Sequence, residues 1–423
     1  MSSAIEKETL TQLYARYQQF IDRDLQLDLT RGKPSKAQLS LSDRLLDPLD
    51  KTAVVTDKLD YRNYSLPKYL TGTDEAKTLF AEILNVRPEN VIIGGNSSLN
   101  LMYDTIIRAL VLPLPNALKS WSAQGKVKFL CPVPGYDRHF AICESLGIEM
   151  IPVPLTGAGP DMNIVESLVV ADPHIKGMWC VPQYSNPTGE TYSDETVDRL
   201  ASMKTAADNF RIFWDNAYAV HHFDVHHPIC VKDILEACRQ AKQEDRVFLY
   251  GSTSKITYAG AGISAIAAHE NNYNWLKTQL GFQTIGFDKL NQLRHVQQLK
   301  DKAGIMQHMA GHAAILKPKF DLADRILTES LGENGEYANW SRPKGGYFIS
   351  FNTREKLAKN VVLMAEKAGV KLTRAGATFP YDNDPKDCNI RIAPSFVELD
   401  ALKTAIEILG VVTKIATLEQ GNA

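Results

Sequence analysis

An α/β fold built on a mostly parallel sheet is what this sequence predicts, and three features predict it. From about residue 75 to 280, short apolar runs bounded by Gly, Pro or Asn alternate with helix-length amphipathic segments. The 423 residues, 44% of them hydrophobic, can bury one large core and a smaller second one. Around residue 290 the alternation gives way to a long helical stretch and then a new strand-rich unit, which marks a second domain.

Taken in order, the segment from Met1 to about Leu49 holds an amphipathic helix and is too short to form a core alone, so it is expected to pack on the C-terminal segment. A helix follows over Asp74 to Leu84, then a strand at Val91 to Ile93 stopped by Gly94-Gly95, and a helix from Ser98 to Leu112. The apolar run Lys128 to Cys131 reads as a strand, Arg138 to Leu146 as a helix, and Glu149 to Val153 and Gly177 to Val181 as strands. A helix over Ser193 to Ala206 precedes the strand Arg211 to Trp214, and a helix over Val231 to Ala241 precedes the strands Val247 to Gly251 and Ile263 to Ala268. Around Leu290 to Ile326 the sequence reads as a long helical stretch; Tyr347 to Phe351 opens the strand-rich unit, which ends in a helix near Asp400 to Leu409. The expected division is a large domain over 50–310 and a small domain assembled from 1–49 and 311–423. No internal repeat or low-complexity linker interrupts it.

Charge and composition narrow the function. Lys+Arg 47 against Asp+Glu 49 leaves a formal charge of −2, without the basic field a nucleic-acid binder needs, so small-molecule partners are expected. Met1 to Leu10 carries acids and polar residues where a secretory leader would be apolar, and no apolar run approaches the roughly 18 residues that span a bilayer. A cytoplasmic protein is the expectation. Cys131, Cys143, Cys180, Cys230, Cys238 and Cys388 contain no C-x-x-C pair, which argues for buried thiols rather than a zinc ribbon or disulfides. His221, His222, His226 and His227 have only Asp224 nearby at ligand spacing, so a polar strand-to-loop edge is expected there and no metal.

The chemistry gathers around a lysine. Lys255, in Gly251-Ser252-Thr253-Ser254-Lys255, follows an apolar strand directly and would project from its end into a crevice. Ser185-Asn186-Pro187-Thr188-Gly189 and Asp215-Asn216-Ala217-Tyr218 also follow strands, and open α/β sheets bind ligands at strand C-termini. An acid ending the buried run Ile212-Phe213-Trp214 is costly unless paired, and a pyridinium N–H is a suitable partner. Asn186 and Tyr218 could donate to a phenolate oxygen on the same ring. Gly94-Gly95-Asn96-Ser97-Ser98 opens a helix, where backbone N–H groups and the Ser97 and Ser98 hydroxyls can meet an anion.

The order Asn186, Asp215, Tyr218, Lys255, Arg391 resembles the fold-type I, class I aminotransferase family, with matching segments from Arg31-Gly32-Lys33-Pro34 to Asn389-Ile390-Arg391-Ile392. The resemblance implies the pyridoxal-phosphate-dependent transferase fold and the cofactor pyridoxal 5′-phosphate. It implies that Lys255 holds the cofactor as a Schiff base and shuttles the proton, with Asp215 on the pyridine nitrogen and Asn186 and Tyr218 on the phenolate oxygen. It further implies Arg391 on the substrate α-carboxylate, Tyr136 of Pro134-Gly135-Tyr136 stacked on the ring, and Ser252 on the phosphate. Lys344-Gly345-Gly346-Tyr347-Phe348 and Ala375-Gly376-Ala377-Thr378-Phe379 are similar to the two small-domain signatures that precede the substrate arginine.

One segment departs from the pattern. Many family members carry an arginine about eight residues after the lysine to pair with the phosphate, whereas this chain reads Tyr258-Ala259-Gly260-Ala261-Gly262-Ile263-Ser264. Backbone amides, Ser97, Ser98, Ser252 and Ser254 are left to meet that charge. This variant, with Thr30-Arg31-Gly32-Lys33-Pro34, resembles the divergent type I-c aspartate aminotransferases and implies aspartate and 2-oxoglutarate as substrates. Arg31, with Gly32, is then the candidate for the distal carboxylate, or alternatively a tie between the N-terminal segment and the rest. Tyr64 resembles the tyrosine that reaches the neighbouring subunit's phosphate in a homodimer, with Tyr61 as the alternative. Other readings are an aminotransferase for aromatic or aliphatic amino acids, a pyridoxal-phosphate lyase or racemase, and a regulator that keeps the fold without turnover. A regulator would need a DNA-binding module, for which the sequence leaves no segment; a nicotinamide dehydrogenase would need G-x-G-x-x-G after a strand.

Overall fold

In the computed structural model, residues 9–57 and 59–422 are described; residues 1–8, where the absence of a leader was read, lie outside them. The strands in chain order are β1 (Leu27–Asp28), β2 (Val91–Ile93), β3 (Lys128–Val133), β4 (Glu149–Pro154), β5 (Ile175–Cys180) and β6 (Arg211–Asp215). They continue as β7 (Val247–Ser252), β8 (Ser264–Ala267), β9 (Ala338–Trp340), β10 (Ile349–Thr353), β11 (Val370–Lys371) and β12 (Asn389–Ile392). The main sheet has the order β2-β8-β7-β6-β5-β3-β4. Its core strands are buried on both faces, which is why they read as continuous apolar runs. Alternation along them sends Phe129, Trp179, Phe213 and Phe248 to one face and Met178, Ile212, Trp214 and Leu249 to the other. Phe213 is the centre of the aromatic face, 5.1 Å from the Trp179 ring and 5.5 Å from Phe129. Gly177 is required in β5, because a Cβ there would collide with the Phe129 ring.

The strand at Ile263 to Ala268 forms as β8 but runs antiparallel to both neighbours. Residues 253–263 are too few for a crossover, which takes about a dozen residues or more, so the chain turns straight back. The stretch from Leu290 to Ile326 is two helices, Lys289–Leu299 and Lys302–Leu331, and not one. Lys300 takes a left-handed φ of 61° between them, and Asp301 caps the second helix by accepting from Gly304 N at 2.9 Å.

A second core lies away from this sheet and is drawn from both chain ends. The helix Leu10–Ile21 starts in a Thr9/Gln12 capping box and buries Leu13, Tyr17 and Phe20. These pack with the helices Ala358–Lys367 and Leu399–Asn422 and with β10 and β12; Tyr17 Oη donates to Met364 O at 2.9 Å. Each such buried side chain contributes about 1.5–3 kcal/mol. The terminal helix runs well beyond Leu409 because Val411, Val412, Ile415 and Ala416 continue its buried stripe. Of the cysteines, Cys131, Cys143, Cys180 and Cys238 are buried, Cys388 is half-buried and Cys230 is exposed, which corrects the expectation for that residue. Among the described residues no helix is long and apolar enough to cross a membrane.

Candidate active site

Parallel β3, β5, β6 and β7 bring their C-terminal ends to one edge of the sheet, and a cleft of about 910 Å³ opens there against the second core. Tyr136, Asn186, Tyr218 and Lys255 line it from the sheet side; Arg31, Gly32, Phe348 and Arg391 line it from the other. Residues far apart in sequence thus converge because the strand direction is shared, as in other open α/β sheets.

Asp215 ends β6 and is 3% exposed. Its Oδ2 accepts from His139 Nε2 at 3.0 Å, and that imidazole stacks on Trp179 with centroids 4.1 Å apart. Its Oδ1 is buried with no hydrogen-bond partner. An orphaned carboxylate oxygen in this setting is costly and calls for a donor, which a protonated ring nitrogen would supply. The residues therefore fit the expected cofactor at the point where it is most demanding. Asp215→Ala is expected to release cofactor on dialysis and to slow turnover, read from bound-cofactor absorbance and steady-state rate. Full occupancy at an unchanged rate would show that Asp215 has no part in holding it.

Lys255 sits one turn past β7, with its Nζ 5.0 Å from the Tyr218 ring centroid. Burial lowers its pKa; Asp215 pulls the other way, and Arg391 adds to the lowering. An amine so placed gives up its proton more readily than a surface lysine, as a nucleophile and proton carrier must. Its peptide is held from two sides: Lys255 O accepts from Tyr347 Oη at 3.3 Å and from His221 Nε2 at 3.2 Å. Burial drives the His221 pKa well below its usual value and the Tyr218 pKa well above its own, so both rings stay neutral. His221 and His222 are buried, a correction to the polar edge expected for this cluster; His226 and His227 are exposed. Tyr136 lies edge-on to His139 at 4.9 Å, and burial, with Asp215 and Asp137 behind it, pushes its phenol up to about 12.

The residues expected to meet the phosphate gather on loops beside Lys255, apart from the residues that line the cleft. Ser97 precedes the helix Ser98–Val111 without capping it, so the hydroxyls at this helix N-terminus remain available. Ser252 Oγ donates to Ser254 Oγ at 3.1 Å, Ser254 Oγ to Asn96 O at 3.4 Å, and Ser264 Oγ to Gly95 O at 2.8 Å, tying the loops together. The position where relatives of this pattern carry arginine falls on Ile263, which is 2% exposed and packed in the core. A Cβ on Gly262 would meet Thr253 Oγ1 at 2.9 Å, and Asn291 Nδ2 locks the segment by donating to Gly262 O at 3.0 Å.

Arg391, on β12, is 7% exposed, with Nη1 2.7 Å from Asp137 Oδ1 and 3.5 Å from Asn186 Oδ1. Arg31 is exposed on the cleft wall. The structure does not bring Tyr64 to the cleft: it is 77% exposed, whereas Tyr61 is 9% exposed and packs with Val54, Leu59 and Tyr69. Sequence reasoning passed over His139, Asp137, Arg138 and Gln38, which donates to Tyr347 Oη at 2.7 Å, and took His221 only for part of a polar loop edge. The three-residue spacing from Tyr136 gave no usable signal for His139, because Tyr136 is the extended residue before the helix and not part of its face.

This edge chemistry is that of an aminotransferase working with pyridoxal 5′-phosphate, and the comparisons with known proteins agree. A family model described as aspartate amino-transferase matches residues 1–422, and the chain belongs to that family. An aspartate aminotransferase of Corynebacterium glutamicum is 41% identical over 405 residues, covering 96% of this chain and 92% of the relative. The crystal structure of an aspartate transaminase from the same organism matches with a TM-score of 0.93 at 40% identity, over 97% of this chain and 96% of that one. The α-aminoadipate aminotransferase of Thermus thermophilus, solved with N-(5′-phosphopyridoxyl)-L-leucine, shares the fold at a TM-score of 0.73 and 18% identity, over 98% and 96% of the chains. The chain is an aminotransferase of amino and 2-oxo acids, and its fold is the pyridoxal-phosphate-dependent transferase fold.

Proposed function

We propose that this enzyme transfers the amino group of L-aspartate to 2-oxoglutarate, yielding oxaloacetate and L-glutamate. The observation that carries the choice of acidic substrates is a second guanidinium on the cleft. Arg31 lines it together with Arg391 and has no ion-pair partner among the described residues. Of the other cations lining the cleft, Lys33 Nζ lies 3.7 Å from the Phe396 ring centroid and Arg374 pairs with Asp382, which leaves Arg138 and Lys371 as the alternatives to Arg31. The name of the Corynebacterium relative points the same way.

In this reading Arg391 takes the α-carboxylate and Arg31 the distal one, which fixes the Cα–H toward Lys255. Lys255 Nζ would remove that proton and carry it past the amino nitrogen to the carbon on its other side, a 1,3-shift. With the cofactor bound, Asp215 would keep its ring nitrogen protonated, Asn186 and Tyr218 would donate to its ring oxygen and Tyr136 would cover its face. Pyridoxal phosphate, when bound, supplies the electron sink. The test is a half-reaction panel of single amino acids against holoenzyme. Aspartate and glutamate are expected to react about tenfold to several hundredfold faster than alanine or phenylalanine, with Arg31→Ala depressing the aspartate rate selectively. If alanine or an aromatic donor leads in the wild type, the acidic-substrate reading is wrong; if Arg31→Ala slows every donor alike, Arg31 is structural.

The second part of the proposal is a homodimer. Tyr64, Leu66, Phe282 and Ile285 are 77%, 50%, 83% and 61% exposed. Lys289 Nζ donates to Asn63 O at 2.6 Å and Ser65 Oγ at 3.2 Å, which holds their two segments side by side. Phe287 reaches back toward Gly95, so this apolar patch adjoins the loops expected to meet the phosphate. A second copy covering it would bring its own Tyr64 within reach. Phe282→Glu with Ile285→Glu is expected to halve the sedimentation mass and loosen the cofactor, and a monomeric wild type would end this part of the proposal.

A further inference from the structure

We propose that Asp137 is a resident stand-in for the substrate α-carboxylate, holding Arg391 between turnovers and giving it up to the incoming carboxylate. The inference rests on the reading above that Arg391 is the α-carboxylate site. Arg391 is nearly enclosed: its Cζ lies 5.0 Å from the Phe348 ring centroid and its Nε is buried without a partner. A guanidinium in that setting needs a counter-charge. Among the described residues, Asp137 is the one acid within ion-pair distance of it, at 2.7 Å.

The pair is asymmetric. The Arg391 side chain is 8% exposed and the Asp137 side chain 35%, so the carboxylate can return to water where the guanidinium cannot. A released Asp137 remains the first residue of the helix Asp137–Ser145, where N–H groups and the helix dipole favour a negative charge. Exposed Arg138 is its neighbour. Substrate binding then swaps one carboxylate for another, and Arg391 is never left bare. Affinity becomes the difference between two similar contacts, and a ligand without a carboxylate has nothing to exchange.

Calorimetric titration of holoenzyme with succinate tests this, because succinate carries the carboxylates but cannot react. Asp137→Asn is expected to tighten succinate roughly fivefold to thirtyfold and to lower the KM for aspartate without raising kcat, while Asp137→Glu stays near wild type. In an Arg391→Ala background the asparagine substitution is expected to change nothing. Asp137→Ser is the companion variant should asparagine lower the melting temperature. Equal or weaker succinate binding in folded Asp137→Asn and Asp137→Ser would overturn the inference and leave Asp137 as a residue that orients Arg391. Succinate affinity untouched by Arg391→Ala would remove both the inference and the reading beneath it.

Discussion

Lys255→Ala is expected to end transamination while leaving the protein folded. In the proposed function the side chain is both the carbonyl-directed nucleophile and the proton carrier, and loss of the proton transfer alone is worth about 10²–10⁴ in rate. Stability should not suffer, because the bonds from Tyr347 Oη and His221 Nε2 are made to the backbone carbonyl of residue 255 and survive truncation of its side chain. Removing a buried amine also relieves a desolvation cost, consistent with the lowered pKa. Steady-state turnover and a thermal melt check both halves of the statement. Turnover within tenfold of wild type would transfer the proton to another group, of which Tyr218, its ring centroid 5.0 Å from Lys255 Nζ, is the first to test.

Arg391→Ala is the second large effect. Loss of a desolvated carboxylate contact costs about 2–5 kcal/mol, or roughly thirtyfold to several thousandfold in kcat/KM. The rise should fall mainly on KM, since the contact is made in the ground state as well as the transition state. Arg391→Lys is expected to recover only part of it, because an ammonium cannot reproduce the planar fork. An amine without an α-carboxylate serves as the control: if its rate drops equally, the variant has lost its shape and not a contact.

Which parts of this site were legible beforehand follows from how each is encoded. Lys255, Asp215 and Asn186 each follow a doubly buried strand, and a run such as Ile212-Phe213-Trp214 announces both the strand and where it stops. The helix start at Ser98 was readable because glycines and hydroxyls before a helix have a local meaning. His139 was not, since its partner Asp215 is remote in sequence and a histidine on an apolar helix face looks like core. The Asp137–Arg391 pair is likewise set by how β12 docks against the helix after β3, which no local pattern records. The direction of β8 was hidden as well: its composition matches its neighbours, and only the short return from β7 makes it antiparallel. The break at Lys300 escaped periodicity because both flanking helices keep an apolar stripe, and the cap that separates them is a single aspartate.

The second core carries a consequence for the order in which the chain can fold. The main sheet uses residues 91–267, a continuous stretch, so it can assemble as soon as that stretch has left the ribosome. Leu13, Tyr17 and Phe20 are the first of the described core residues to be synthesised, yet they bury against the helix Leu399–Asn422, the last. Until that helix is made the apolar stripe lacks part of its native cover and must stay partly exposed or be shielded. Arg391, on β12, joins its core only at that late stage, so the Arg391 side of the cleft is finished after the sheet edge that carries Lys255.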